Sequence, residues 1–204
     1  MLRIKYFFQQ SWLLIIASFC FGLLIAVANA AWEEKIEYNL KVYKFNKSAF
    51  EIFPEADNFE ITLEDVEVKS DTGKKFTTSV RKVIAQDGTC IGWAFVCIGN
   101  GYGGELQIIL AVDAEFEKIK GYGVIVSNET PNIGEKIKFP KFKNQFIGAP
   151  AAEFNLVKTG NREVIDSEIV AISSATISSQ AVVDAFNMFI PQVKEKMQAE
   201  GLIR

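Results

Sequence analysis

The chain has 204 residues, enough for one ordinary domain and a small additional element, so two independent enzymatic domains are not expected. Its composition, 49% apolar and 12% aromatic with five prolines, is that of a packed protein. The absence of histidine excludes a Ser-His-Asp triad, a His-bearing zinc site, a His-ligated haem and an imidazole proton shuttle. The formal charge is −3 overall and −5 after residue 31, so no basic face for non-specific nucleic-acid binding is expected.

The first predicted element is a membrane helix. Residues 11–31, SWLLIIASFCFGLLIAVANAA, carry no charge, and as a helix they would reach about 31 Å, the thickness of a hydrocarbon core. Arg3 and Lys5 precede the run and Glu33 and Glu34 follow it. The positive-inside rule then keeps the amino terminus in the cytoplasm and sends the rest across the inner membrane. Ala28-Asn29-Ala30 also fits a signal-peptidase site, but the run is longer than a usual signal core, which favours an uncleaved anchor in the lipid bilayer. The expected organisation is a stub and anchor at 1–31 and one extracytoplasmic domain at 32–204.

Trp32, Ile36, Leu40 and Tyr43 recur at helical spacing and predict a helix ended by Phe53-Pro54. Polar, irregular sequence is expected to about Thr78. The period then becomes two, predicting strands over 81–86 and 89–98 joined at Asp87-Gly88, with Ile91, Trp93, Phe95 and Cys97 on one face. Cys90 and Cys97, seven apart in that strand, are expected on opposite faces and too far apart to bridge. Further strands are predicted over 105–112 and 119–126, and a terminal helix carries Val182, Phe186, Phe189, Ile190, Val193 and Met197, with Pro191 expected to kink or break it. Strands grouped in a meander with helices at the flanks make the fold class α+β.

Several motifs bear on chemistry. Gly99, Gly101 and Gly104 satisfy G-x-G-x-x-G, but a strand rather than a helix is predicted after them, which excludes a dinucleotide site and direct NAD binding. The run is either a hairpin corner or backbone left bare for a flat ligand with Tyr102 beside it. Lys136, Lys138, Lys141 and Lys143, interleaved with Ile137, Phe139 and Phe142, predict a solvated amphipathic surface. Ser173-Ser174-Ala175-Thr176-Ile177-Ser178-Ser179 leads into the terminal helix. Ser178 or Ser179 could cap that helix, and the same helix start with flanking hydroxyls could receive a phosphate. A serine nucleophile has no histidine, nor any lysine in this segment, to serve as its base.

Ser173-Ser174-Ala175-Thr176 resembles the S/T-G-A-T/S flavinylation motif of the FMN-binding domain family. Asn128-Glu129-Thr130-Pro131-Asn132-Ile133-Gly134 is similar to that family's E-T-P-G-L-G loop and Gly101-Tyr102-Gly103-Gly104 to its G-Y-x-G stretch, with Phe53-Pro54-Glu55-Ala56 a weaker echo. Ser174 stands where the motif has glycine, so a positive φ there would be strained, whereas Asn132, in the loop glycine's place, tolerates that region. Val170 stands where the motif often has an acid. The resemblance implies FMN joined covalently to Thr176 by a phosphodiester that a separate flavin transferase makes from FAD. It also implies cofactor contacts from Ser173, Ser174, Ala175, Ser178, Tyr102, Gly103, Glu129, Thr130, Pro131, Ile133 and Gly134, with Lys158 as a countercharge.

A chain of this size with one amino-terminal anchor most resembles the G subunits of Rnf electron-transport complexes. That implies a redox subunit, not catalytic alone, which passes electrons between other subunits while ferredoxin and NAD chemistry is coupled to ion movement. The C subunit of a sodium-pumping NADH:quinone reductase is the nearest alternative, and an anchored binding domain without flavin is an alternative of another class.

Overall fold

The computed structural model describes residues 2–204; the side chains of residues 2–10, Glu34 and Glu37, and with them the charges of Arg3, Lys5 and Glu34, lie outside the described residues. Helix α1 is continuous over Leu2–Ile52, because no proline or glycine interrupts the chain between Gly22 and Pro54. Within it Ser11–Glu33, 23 residues of mean hydropathy 2.4, is long and apolar enough to cross a membrane, and none of it is buried. One compact unit ends at Tyr43 and a second spans Lys44–Arg204.

The second unit is built on a five-stranded antiparallel meander of β1 (Ala56–Lys69), β2 (Lys75–Ala85), β3 (Cys90–Gly101), β4 (Gly104–Val112) and β5 (Ile119–Val126), ordered as in the chain. Strand β1 and the start of β2 occupy the stretch expected to be irregular. Register shifts at three places in β1, with Asp65 at φ 52°, break the alternation that would have betrayed an edge strand. The Asp87-Gly88 turn falls where predicted, with Gly88 at φ 82°.

A bulge corrects two expectations about β3. Val83 pairs with Gly92 and Ile84 with Cys90, so Ile91 is the extra residue and parity changes there. Ile91 therefore packs on the face opposite Trp93, Phe95 and Cys97, and Cys90 joins the same core cluster as Cys97. Both cysteines are free, and burial pushes the Cys97 thiol far up.

Both faces of the sheet are covered, as β4 displays residue by residue. Leu106, Ile108, Leu110 and Val112 enter the larger core, while Ile109 and Ala111 meet Phe45, Ala49 and Phe53 from the end of α1. Helix α3 (Thr176–Ala199) lies on the larger-core side, presenting Val182, Phe186, Phe189, Val193 and Met197. Its approach to β3 requires Gly99, where a Cβ would stand 2.7 Å from the Ala181 carbonyl oxygen. The helix does not break at Pro191, because its buried stripe continues on both sides and Gln192 fastens it to β1. The Gln192 amide donates to the Lys69 and Met188 carbonyls, and its oxygen accepts the Lys69 N–H.

Between β5 and α3 the chain forms a 3₁₀ turn at Gly134–Lys138, helix α2 (Pro140–Lys143) and a parallel pair, β6 (Asn155–Val157) with β7 (Glu168–Val170). Phe146 anchors this region, edge-on to Tyr122, Phe142, Phe154 and Phe186 at 5.2–5.5 Å. The buried Tyr122 hydroxyl donates to the Ile137 carbonyl and fixes the 3₁₀ turn over the sheet.

Candidate functional site

The start of α3 is held from inside. Ser179, fully buried, donates to the Ala175 carbonyl at 2.9 Å and accepts the Ile172 N–H at 3.0 Å, folding the Ile172–Thr176 segment back onto the helix. Ser178 donates elsewhere, to Glu129 Oε2 at 2.7 Å. Neither serine caps the helix, correcting one sequence expectation: Ala175 holds the N-cap position and no side chain bonds there. The first turn therefore presents backbone N–H groups beside Thr176, whose side chain is exposed at the first helical position.

Ser174 adopts φ 68° and Asn132 φ 60°, the conformation expected if each takes the place of a glycine. For asparagine this is tolerable, whereas for serine it stores strain. The Ser174 hydroxyl donates to the Ser173 carbonyl. Val170, in the position of the motif's acid, is buried in β7 and exchanges backbone hydrogen bonds with the Gln145 side chain, so that site is packed and neutral.

Glu129 joins three distant segments. Its carboxylate accepts Ser178 Oγ–H from α3 and the Gly103 N–H, at 3.3 Å, from the tip between β3 and β4. A Cβ at Gly134 would collide with Glu129 Oε2 and lie 2.7 Å from Ser178 Oγ, and one at Gly101 would collide with Glu129 Oε1. These two glycines are where the carboxylate fits. Thr130 shapes the loop, its carbonyl accepting the Ile133 and Glu135 N–H groups. Ile133 and Tyr102 point outward, 44% and 72% exposed, and Thr130 and Pro131 are exposed beside them.

Lys158 is exposed beyond β6, and nothing among the described residues ties it to Thr176. The cations beside the motif are different ones. Ser173 and Ile172 line a cleft of about 290 Å³ with Phe139, Phe142, Lys136, Lys141 and Arg162. The solvated face expected of the lysine run holds for Lys138, paired with Glu135 at 3.3 Å. It holds also for Lys141, which is exposed while bordering the cleft; Lys136, on the same cleft, is partly buried, and Lys143 is half-buried above the Tyr122 ring. Burial lowers the Lys143 pKa, partly opposed by Glu51. Arg162 carried no motif; the available signal was a guanidinium in the short polar loop before the Ser/Thr segment.

The parts suit a phosphate-linked flavin: an exposed hydroxyl on an uncapped helix start, hydroxyls alongside, and an apolar cleft with cations nearby. Among the described residues no cluster of His, Cys, Asp and Glu could hold a metal.

Comparison with known proteins supports FMN binding. Residues 101–190 match the FMN-binding domain model. The chain is 34% identical over 144 residues, 70% of this chain and 71% of the relative, to the G subunit of the ion-translocating oxidoreductase complex of Methanosarcina acetivorans. It is 31% identical over 192 residues, 91% of each, to the G subunit of the Na(+)-translocating ferredoxin:NAD(+) oxidoreductase complex of Acetobacterium woodii. The crystal structure of Shewanella oneidensis NqrC superposes with a TM-score of 0.56 at 22% identity, covering 72% of this chain and 73% of that one, a likeness of fold.

Proposed function

The chain belongs to the family of G subunits of ion-translocating oxidoreductase complexes, and from that footing we propose that it is the membrane-anchored, FMN-carrying electron-transfer subunit of an Rnf-type ferredoxin:NAD(+) oxidoreductase complex. The observation that carries this reading is Thr176, exposed at the uncapped start of α3, where Glu129 draws the other two motif segments to Ser178 in the same turn.

Thr176 Oγ1 is the attachment atom. A separate flavin transferase acting on FAD would join that oxygen to the FMN phosphorus as the pyrophosphate bridge breaks, with AMP leaving and the hydroxyl proton released. The first-turn N–H groups of α3 would offset the negative charge of a phosphodiester held there. Ser178, bonded to Glu129, keeps the helix start in register with the Gly103 tip and the Thr130-Pro131 loop. Ser173, Ser174 and Ala175 lead into Thr176 through a left-handed turn at Ser174. Ile133, on the Glu129 loop, and Tyr102, at the tip between β3 and β4, supply exposed apolar surface. Once bound, the flavin supplies the electron acceptance and release that the side chains lack.

Ser11–Glu33 anchors the protein in the bilayer, and Arg3 and Lys5 ahead of it keep the amino terminus cytoplasmic, with the FMN-binding domain on the opposite side. Its partners are the other subunits of the complex and, during maturation, the flavin transferase. Denaturing electrophoresis tests the reading. A fluorescent band at the mass of this chain supports it, and a dark band from cells containing a flavin transferase identifies an anchored domain without covalent flavin.

A further inference from the structure

The cleft beside Ser173 has a chemistry that packing alone does not account for. Its walls are Phe139, Phe142 and Ile172, and its charges are Lys136, Lys141 and Arg162, with no acid among its lining residues. Lys138 is engaged by Glu135, whereas no ion pair among the described residues engages Lys136, Lys141 or Arg162. Arg162 is half-buried and spends one N–H on the Ala171 carbonyl at 2.8 Å, leaving most of its fork of donors free. Cations gathered around an apolar slot suit a flat ring that carries negative charge in one of its states.

We infer that this cleft receives the isoalloxazine ring of the flavin attached at Thr176, and that Arg162 and Lys136 hold the negative charge the ring gains on reduction. The inference rests on the flavin attachment proposed above. Ser173, on the cleft wall, is three residues from Thr176, and the ribityl chain between phosphate and ring gives the reach. On two-electron reduction the oxidised ring takes two electrons from a reductant and one proton from water, leaving one negative charge on its pyrimidine end. A cation at that end binds the reduced ring more tightly than the oxidised one and so raises the midpoint potential. Arg162 and Lys136 are thus positioning residues for the redox state, and Phe139 and Phe142 give the ring its apolar walls.

The test uses the full-length chain in detergent, co-expressed with a flavin transferase, as wild type, Arg162→Gln, Lys136→Gln, Arg162→Lys and, as a charge control outside the cleft lining, Lys120→Gln. In-gel fluorescence reports attachment, thermal unfolding reports the fold, and a dithionite titration followed by flavin absorbance gives the midpoint. Each glutamine variant is expected to keep its fluorescent band and lose about tenfold in preference for the reduced ring. For a two-electron couple that is a fall of about 30 mV. Arg162→Lys should retain most of the wild-type value, Lys120→Gln all of it, and the shifts should shrink at high salt. Unchanged midpoints in both Arg162→Gln and Lys136→Gln, with the band present, overturn the inference and leave the attachment standing. If Arg162→Gln does not fold, Lys136→Gln decides between the two results. A wild-type chain without the band overturns the attachment itself.

Discussion

Ser178→Ala tests the junction that holds the candidate site together. It deletes a hydroxyl that is 2% exposed and bonded at 2.7 Å to Glu129 Oε2. Hydrogen bonds to charged groups contribute about 1.5–3 kcal/mol. Glu129 is only half-buried and keeps the Gly103 N–H at 3.3 Å, so the lower end applies, about 1.5 kcal/mol. In a unit of this size that lowers the melting temperature by about 3–6 °C, measurable by circular dichroism on the full-length chain in detergent. Gly134→Ala should cost more, about 3 kcal/mol, because its Cβ would displace the same bond and also overpack the junction, standing 3.0 Å from Glu129 Cβ. Combining Ser178→Ala with Glu129→Ala should then give a coupling of about 1 kcal/mol. Additivity within about 0.5 kcal/mol would show that the two side chains do not act together and refute the reasoning.

Four further outcomes follow from the same geometry. Ser174→Gly relieves a left-handed serine, a gain of about 1–2 kcal/mol offset by about 0.5–1 kcal/mol of glycine entropy, so its melting temperature should rise by about 1–4 °C. Thr176→Ala, at an exposed side chain, should change unfolding free energy by less than about 0.5 kcal/mol while removing flavin fluorescence from denaturing gels. Phe146→Ala empties the centre of the aromatic cluster and should destabilise by about 3–5 kcal/mol in urea unfolding. Lys143→Met should raise the melting temperature at pH 7. Burial lowers the Lys143 pKa, so the folded state holds its proton less tightly and the wild type gains stability as pH rises toward 10.5; the advantage of the variant should narrow over that range.

The middle strands and the terminal helix were legible because alternation and helical spacing are local signals that burial on one face preserves. Strand β1 was not, since its bulges interrupt the alternation and many of its residues face solvent at the sheet edge. The bulge at Ile91 likewise reversed the faces of Ile91 and Cys90, since one extra residue shifts parity without a mark in composition. Helix α3 passed Pro191 because tertiary packing outweighs local propensity there. In the site, Ser174 and Asn132 were legible as stand-ins for glycine, and the structure gives both positive φ. The role of Glu129 as the tie between three segments, and the cleft formed by Lys136, Lys141 and Arg162, depend on contacts between residues far apart in the chain, which spacing does not encode.

The most direct test of the central claim is the intact mass of the full-length chain purified from cells that contain a flavin transferase, beside Thr176→Ala prepared identically. The account predicts that the wild type is heavier than its sequence by one FMN less one water, and that Thr176→Ala has the mass of its sequence alone. A wild-type chain at its unmodified mass, or the same adduct on Thr176→Ala, would contradict it.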